Sequence, residues 1–191
     1  MSDASAMSMT PVEMLTAALA YDPNTREHIH RVREYAVGLA RALGVRSRSL
    51  IEAIDEAALL HDIGKVAVPP AILNKPGPLT PTEYEQMKRH VDYGAEMLAQ
   101  FSLQASVAPI VRAHHENWDG TGYQCGLGGR AIPLGARIVS VVDCFDALTS
   151  DRPYRPKLPR RDALRIVLGR RGTMYDPAVV DAFLRLCHGE S

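Results

Sequence analysis

The sequence predicts an all-α protein, a single helical domain of about seven to eight helices. Three observations carry that expectation. Apolar residues recur at helical spacing through most of the 191 residues. Capping sequences precede those stretches and glycines follow several of them. No run alternates apolar and polar residues between hairpin turns, and no repeat or long linker divides the chain.

Met1 to Met9 are rich in Ser, Ala and Met and lack the basic start of a signal peptide, so residues 1–9 read as a flexible tail and 10–191 as the domain. Thr10-Pro11-Val12-Glu13 combines a capping box with proline at the first helical position, which opens a helix. The next helix covers about 24–43, with Ile29, Val32, Ala36, Leu39 and Leu43 as its apolar stripe and Gly44 at its end. A third begins near Ser49 and carries Ile51, Ile54, Ala58 and Leu59 into His61-Asp62, with Gly64 as the stop. Pro69, Pro70, Pro76, Gly77 and Pro78 mark a loop. Thr80-Pro81-Thr82-Glu83 repeats the capping box and opens one helix with Tyr84, Met87, Val91, Gly94 and Leu98 on a face. A helix over about 103–116 turns Val107, Ile110 and Val111 inward. Gly120, Gly122, Gly126, Gly128 and Gly129 make 117–132 a loop. After Pro133 a helix carries Ile138, Val141, Val142, Phe145 and Leu148. Short helices near 160–168 and from Asp176-Pro177 close the chain.

Composition excludes several function classes. Hydrophobic residues make up 46%, enough to bury a core. Lys+Arg and Asp+Glu are both 22, so there is no charge excess for a DNA or RNA polymer. A local cluster of cations still suffices for a small phosphorylated substrate. The three cysteines form no CxxC and no even set, which points to a reducing, cytoplasmic setting. The apolar runs are too short for membrane insertion.

His28, His61, His90, His114 and His115 lie on or beside the apolar stripes. One such histidine is ordinarily a packed core residue. Five together bring more polar nitrogens than a core readily satisfies, and a metal site satisfies several at once. Asp62 ends a helix, where the dipole disfavours an anion unless a cation is near. Asp143 lies between Val142 and Phe145 and also needs a partner, although alone it reads equally well as part of a solvated face. Five nitrogens and two carboxylates suit iron, manganese or zinc, and not calcium. They are too many for one ion, so two ions are expected, roughly 3.5–4 Å apart.

Four passages then become specific: LLHDIGKVAVPPAILNKPGPLT from Leu59, MKRHVDYG from Met87, HHENWDGTGY from His114, and ARIVSVVDCFDALTSDRPYR from Ala136. Together they resemble the HD-domain phosphohydrolases and, within them, the HD-GYP branch of bacterial cyclic-di-GMP phosphodiesterases. The resemblance covers about 27–183. It implies that His28, His61, Asp62 and Asp143 hold one of two divalent ions, iron or manganese first, with zinc, nickel or magnesium as further candidates. Asp62 would bridge to the second ion, completed by His90, His114 and His115. A metal-activated bridging water would attack phosphorus, giving linear pGpG or, further on, GMP. Lys65 would hold a phosphate oxygen, although a lysine also suits a helix C-terminus on its own. Arg152 and Arg155 would grip substrate phosphates. Without the resemblance they read as ordinary surface arginines.

Two positions depart from the pattern. Some members of the branch hold a third ion through a glutamate one turn before the first histidine, where this chain has Asn24. Two ions are therefore expected. The Gly-Tyr-Pro of the branch is Gly122-Tyr123-Gln124, which frees a backbone dihedral and restores an N–H in a loop tied to substrate access and partner contacts. The loop around Gly120 to Gly129 is thus the expected contact for a protein partner. Two alternatives stand beside the phosphodiesterase: a module that binds a cyclic dinucleotide or a partner without turnover, and an HD hydrolase of another nucleotide.

Overall fold

Helix α1 (Pro23–Ala42) sets the frame for the rest. Four of the five stripe residues are buried, with Val32, Ala36 and Leu39 wholly excluded from water and Ile29 nearly so, while Leu43 lies past the helix end and is only partly buried. Burying each large aliphatic side chain contributes roughly 1.5–3 kcal/mol. Gly44 follows the helix with φ 82°. The computed structural model describes residues 23–101, 103, 105–123, 125–151 and 156–189. The tail over 1–9, the helix expected from Thr10, Gln124, Arg152 and Arg155 lie outside the described residues, as does the side chain of Asn24.

Helix α2 (Arg48–Leu60) starts at Ser47, whose hydroxyl accepts the Leu50 N–H at 3.3 Å. It buries Ala53, Ile54, Ala57, Ala58 and Leu60. Beyond His61 and Asp62 a 3₁₀ helix runs over Ile63–Ala67. Gly64 has no positive φ, so it is not the left-handed stop that the sequence suggests. It is a close-approach residue, since a Cβ there would lie 1.9 Å from the His90 carbonyl oxygen. The expected proline loop contains one further helical turn, α3 (Pro70–Leu73).

The Thr80 capping box forms: Glu83 N–H donates to Thr80 Oγ1 at 3.3 Å and Thr80 N–H to Glu83 Oε2 at 2.7 Å. The helix it opens is not continuous. It divides into α4 (Pro81–Lys88) and α5 (His90–Leu98), because the Arg89 N–H bonds back three residues, to the Gln86 carbonyl at 3.2 Å. Helix α6 (Val107–Ala113) is shorter at both ends than the 103–116 expected. Helices α7 (Leu134–Thr149), α8 (Arg160–Gly169) and α9 (Pro177–Gly189) match their expected places. Asp176 caps α9, accepting the Ala178 N–H at 2.8 Å. Among the described residues there are nine α-helical segments and one isolated β-bridge, between Arg171 and Tyr175. The split at Arg89 and the turn at Pro70 account for the excess over the expected number.

Packing then positions the site. Helix α1 lies against α2, α7 and α9; α5 packs on the 3₁₀ helix and on α6; and α6 rests on α2 and α7. No described helix is long and apolar enough to cross a membrane.

Candidate metal centre

Each candidate ligand sits where local sequence places it. His28 lies one turn ahead of Val32 on α1. His61 caps the end of α2, and Asp62 leaves the helical path at φ −99°, ψ 6°. His90 opens α5, His114 and His115 follow α6, and Asp143 lies midway along α7. The fold brings all seven together.

Three histidines are held alike. The Nδ1 of His61, His90 and His114 meets the carbonyl oxygen three residues earlier: Ala58 at 2.9 Å, Met87 at 2.8 Å and Val111 at 2.7 Å. A carbonyl can only accept, so Nδ1 carries the proton and Nε2 is the nitrogen turned toward the centre. All three rings are buried, and among the described residues no hydrogen-bond partner reaches any of the three Nε2 atoms. Buried polar nitrogens without partners are costly. A divalent cation between them removes that cost, so these residues fit a metal.

The carboxylates complete two groups. His28, His61 and Asp62 offer ligand atoms within 4.8 Å of one another, and so do Asp62, His90, His114 and His115. Among the described residues only Asp62 belongs to both. Its Oδ2 lies 3.4 Å from His61 Nε2 and its Oδ1 3.5 Å from His90 Nε2, so the two oxygens face different halves. Asp143 Oδ1 joins the first half, 3.5 Å from His28 Nε2 and 3.8 Å from His61 Nε2. Lys65 Nζ donates to Asp62 Oδ2 at 2.6 Å and remains partly exposed.

The two halves differ electrostatically. Burial alone would push the His61 imidazole down, but Asp62 and Asp143 outweigh it and raise it to about 9. Burial resists the charge on Asp62, yet Lys65 and His61 hold its carboxyl well below the usual range. Burial, reinforced by neighbouring histidines, pushes His114 well down, and burial lowers His115 to about 4. Burial also lowers His90.

Two residues at the site, Asp146 and Glu116, carry no role in the sequence pattern. Asp146, three residues after Asp143 on α7, is buried and accepts a hydrogen bond from His28 Nδ1 at 2.6 Å. Spacing alone offered a signal, because two carboxylates three apart share a helix face. Glu116 is buried directly after His115 and accepts the N–H groups of Cys125 at 2.9 Å and Leu127 at 3.1 Å, which holds the glycine-rich loop beside the centre. Tyr123 from that loop lies on the His115 ring, centroids 4.6 Å apart. Tyr84 meets Tyr123 edge-on at 6.2 Å, and Lys88 Nζ lies over the Tyr84 ring at 5.4 Å.

These features define a helical protein with a two-part histidine and aspartate centre able to hold metal. The chain belongs to the HD-domain family, whose model, described as "HD domain", matches residues 13–179. A cyclic di-GMP phosphodiesterase of Thermotoga maritima is 42% identical over 92% of this chain and 48% of its own length. The cyclic di-GMP phosphodiesterase response regulator RpfG of Xanthomonas campestris is 44% identical over 90% of this chain and 46% of its own. The chain thus spans about half the length of the curated relatives it matches. Among solved structures, a cyclic GMP-AMP specific phosphodiesterase of Vibrio cholerae superposes with a TM-score of 0.71 at 20% identity, over 93% of this chain and 48% of that one, which supports the fold.

Proposed function

We propose that this domain is a metal-dependent phosphodiesterase that hydrolyses cyclic-di-GMP to linear pGpG. The observation that carries the reading is Asp62, whose two oxygens face separate groups of histidines. His28, His61, Asp62 and Asp143 would hold one divalent ion, and Asp62, His90, His114 and His115 the other. Iron suits the imidazoles of this mixed set and manganese its carboxylates. Asn24 favours two ions over three. When bound, the ions supply Lewis acidity and a water of lowered pKa.

The chain's own residues do the rest. Lys65 reaches the shared carboxylate from the solvent side, where its ammonium can take a phosphate oxygen and stabilise charge that develops on it. Arg152 and Arg155 supply further phosphate contacts in this reading. Tyr123 shields His115, and the half-exposed Tyr84 with Lys88 forms a rim on which a nucleobase can stack. The loop around Gly120 to Gly129 remains the surface offered to a protein partner. Residues 10–191 act as the catalytic domain. Three free cysteines fit a cytoplasmic setting for that substrate.

The test is incubation with cyclic-di-GMP and Mn²⁺ or, anaerobically, Fe²⁺, with products followed by chromatography. The expected product is pGpG, and Asp62→Ala abolishes it. Binding of the nucleotide with no turnover under either metal would support a sensing module instead. Cyclic GMP-AMP, named for the Vibrio structure, belongs in the same assay. Its preferred hydrolysis would move the substrate but keep the centre.

A further inference from the structure

The four buried candidate ligand histidines are not held by equivalent groups. His61, His90 and His114 each donate to the backbone carbonyl three residues earlier. His28 alone donates to a side chain on another helix, Asp146 of α7. Asp146 is 1% exposed and faces Nδ1, the nitrogen turned away from the centre. Its other partners are side chains too. Arg31, three residues after His28 on α1, donates through Nε to Oδ1 and through Nη2 to Oδ2 at 3.2 Å. The Ser150 hydroxyl donates to Oδ2 at 3.2 Å and accepts from Arg31 Nη2 at 2.8 Å. Arg31 Nη1 also lies 3.5 Å from Glu27 Oε2.

The chemistry of this arrangement is specific. A carboxylate withdrawn from water is stable only when paired, and Arg31 supplies the charge. An anion on Nδ1–H makes the far nitrogen a stronger donor than a neutral carbonyl does, and it fixes the ring's direction. None of the phosphate-binding roles above uses Asp146, whose side-chain partners are His28, Arg31 and Ser150.

We propose that Asp146, paired with Arg31, is a positioning residue that aims His28 Nε2 into the first half of the centre and strengthens it as a ligand there. The first site thereby has one ligand, His28, aimed by side chains, whereas His61 beside it and His90 and His114 of the second site are aimed by backbone carbonyls. The inference rests on the two-metal reading above.

The test is a metal titration of the full chain with Mn²⁺ or Co²⁺ against a chromophoric chelator, comparing wild type with Asp146→Asn. The amide keeps the shape but loses the charge, and its NH₂ must face donors. One of two affinities is expected to fall about 10–100-fold, with the other unchanged within about twofold. The Co²⁺ visible spectrum of the weakened site should change with it. Arg31→Gln, which leaves Asp146 in place, should weaken the same site by a smaller factor, and it serves as the test if the Asn variant does not fold. Unchanged affinities in both variants overturn the assignment. So does a parallel loss at both sites that tracks a fall in melting temperature of the metal-free protein, the signature of a purely structural role. Wild-type protein that binds no ions overturns the metal reading together with this one, whereas two ions in wild type and in an unaltered Asn variant overturn only this one.

Discussion

Replacing Gly64 by alanine tests whether the close approach of the 3₁₀ helix to α5 holds the two halves of the centre together. The added Cβ would meet three backbone atoms: the His90 carbonyl oxygen at 1.9 Å, the Gly94 nitrogen at 2.5 Å and the His90 carbonyl carbon at 2.9 Å. No side chain can rotate away. Ordinary contact begins near 3.4 Å, so the two backbones must separate by about 1.5 Å. Overpacking costs about 1–3 kcal/mol, and a backbone clash belongs at the upper end. For a chain of this size 1 kcal/mol shifts the melting temperature by roughly 2–4 °C, so about 3 kcal/mol lowers it by roughly 6–12 °C. Function should suffer more. The same movement carries Asp62 away from His90, whose ligand atoms now lie 3.5 Å apart. A displacement of about 1 Å in a catalytic constellation can cost on the order of 100-fold in rate. Thermal melts and turnover of the metal-loaded protein read both effects. Gly169→Ala is the control, because nothing lies within 4 Å of a Cβ there and it closes a helix. It should be neutral or stabilise by about 0.4–1 kcal/mol. A Gly64→Ala protein that melts within about 2 °C of wild type and turns over normally would refute the reasoning.

Three further outcomes follow from the same geometry. Lys65→Ala should lower kcat by about 100–1,000-fold, the usual loss for one donor to a developing oxyanion, with metal content unchanged; a normal kcat would leave Lys65 as a mere companion of Asp62. Tyr84→Ala should raise KM for the dinucleotide about tenfold, at the lower end of roughly 1–3 kcal/mol for one stacked base, with kcat little changed; an unaltered KM removes the proposed rim. Metal uptake at pH 7.5 should release about one proton from the His61–Asp62 pair, because His61, raised to about 9, is cationic without metal and a ligand must be neutral. His115 at about 4 and His114 well below its ordinary value contribute none. The raised His61 value favours the metal-free fold fully below about pH 6.5, and that contribution disappears as pH rises through about 9. Calorimetry in buffers of different ionisation enthalpy counts the proton, and a count of zero at pH 7.5 contradicts the electrostatics.

What was legible in the sequence was what a single helix can encode. Apolar spacing in α1 and α7 and the Thr80 capping box predicted their elements, because those signals are local. The seven candidate ligands were legible because histidines interrupt apolar stripes and because two adjacent pairs, His61-Asp62 and His114-His115, concentrate donors. What escaped depends on helices meeting. Asp146 and His28 are 118 residues apart, and only the packing of α1 on α7 makes them partners. Gly64 looked like a stop because glycine commonly ends helices, whereas its real constraint is the backbone of α5. Tyr84, Met87, Val91, Gly94 and Leu98 fit one helical face. After the break at Arg89, Val91, Gly94 and Leu98 are buried on α5 while Tyr84 and Met87 on α4 are not, and His90 becomes the first residue of a new helix. Glu116 gave no periodic signal at all, since its partners are loop N–H groups.

The most direct test counts metal. Protein purified without chelators and loaded with Mn²⁺ or Fe²⁺ should carry two ions per chain by atomic spectroscopy, and Asp62→Ala should carry no more than one. Three tightly held ions in wild type, or two retained without Asp62, would contradict a centre organised on that shared carboxylate.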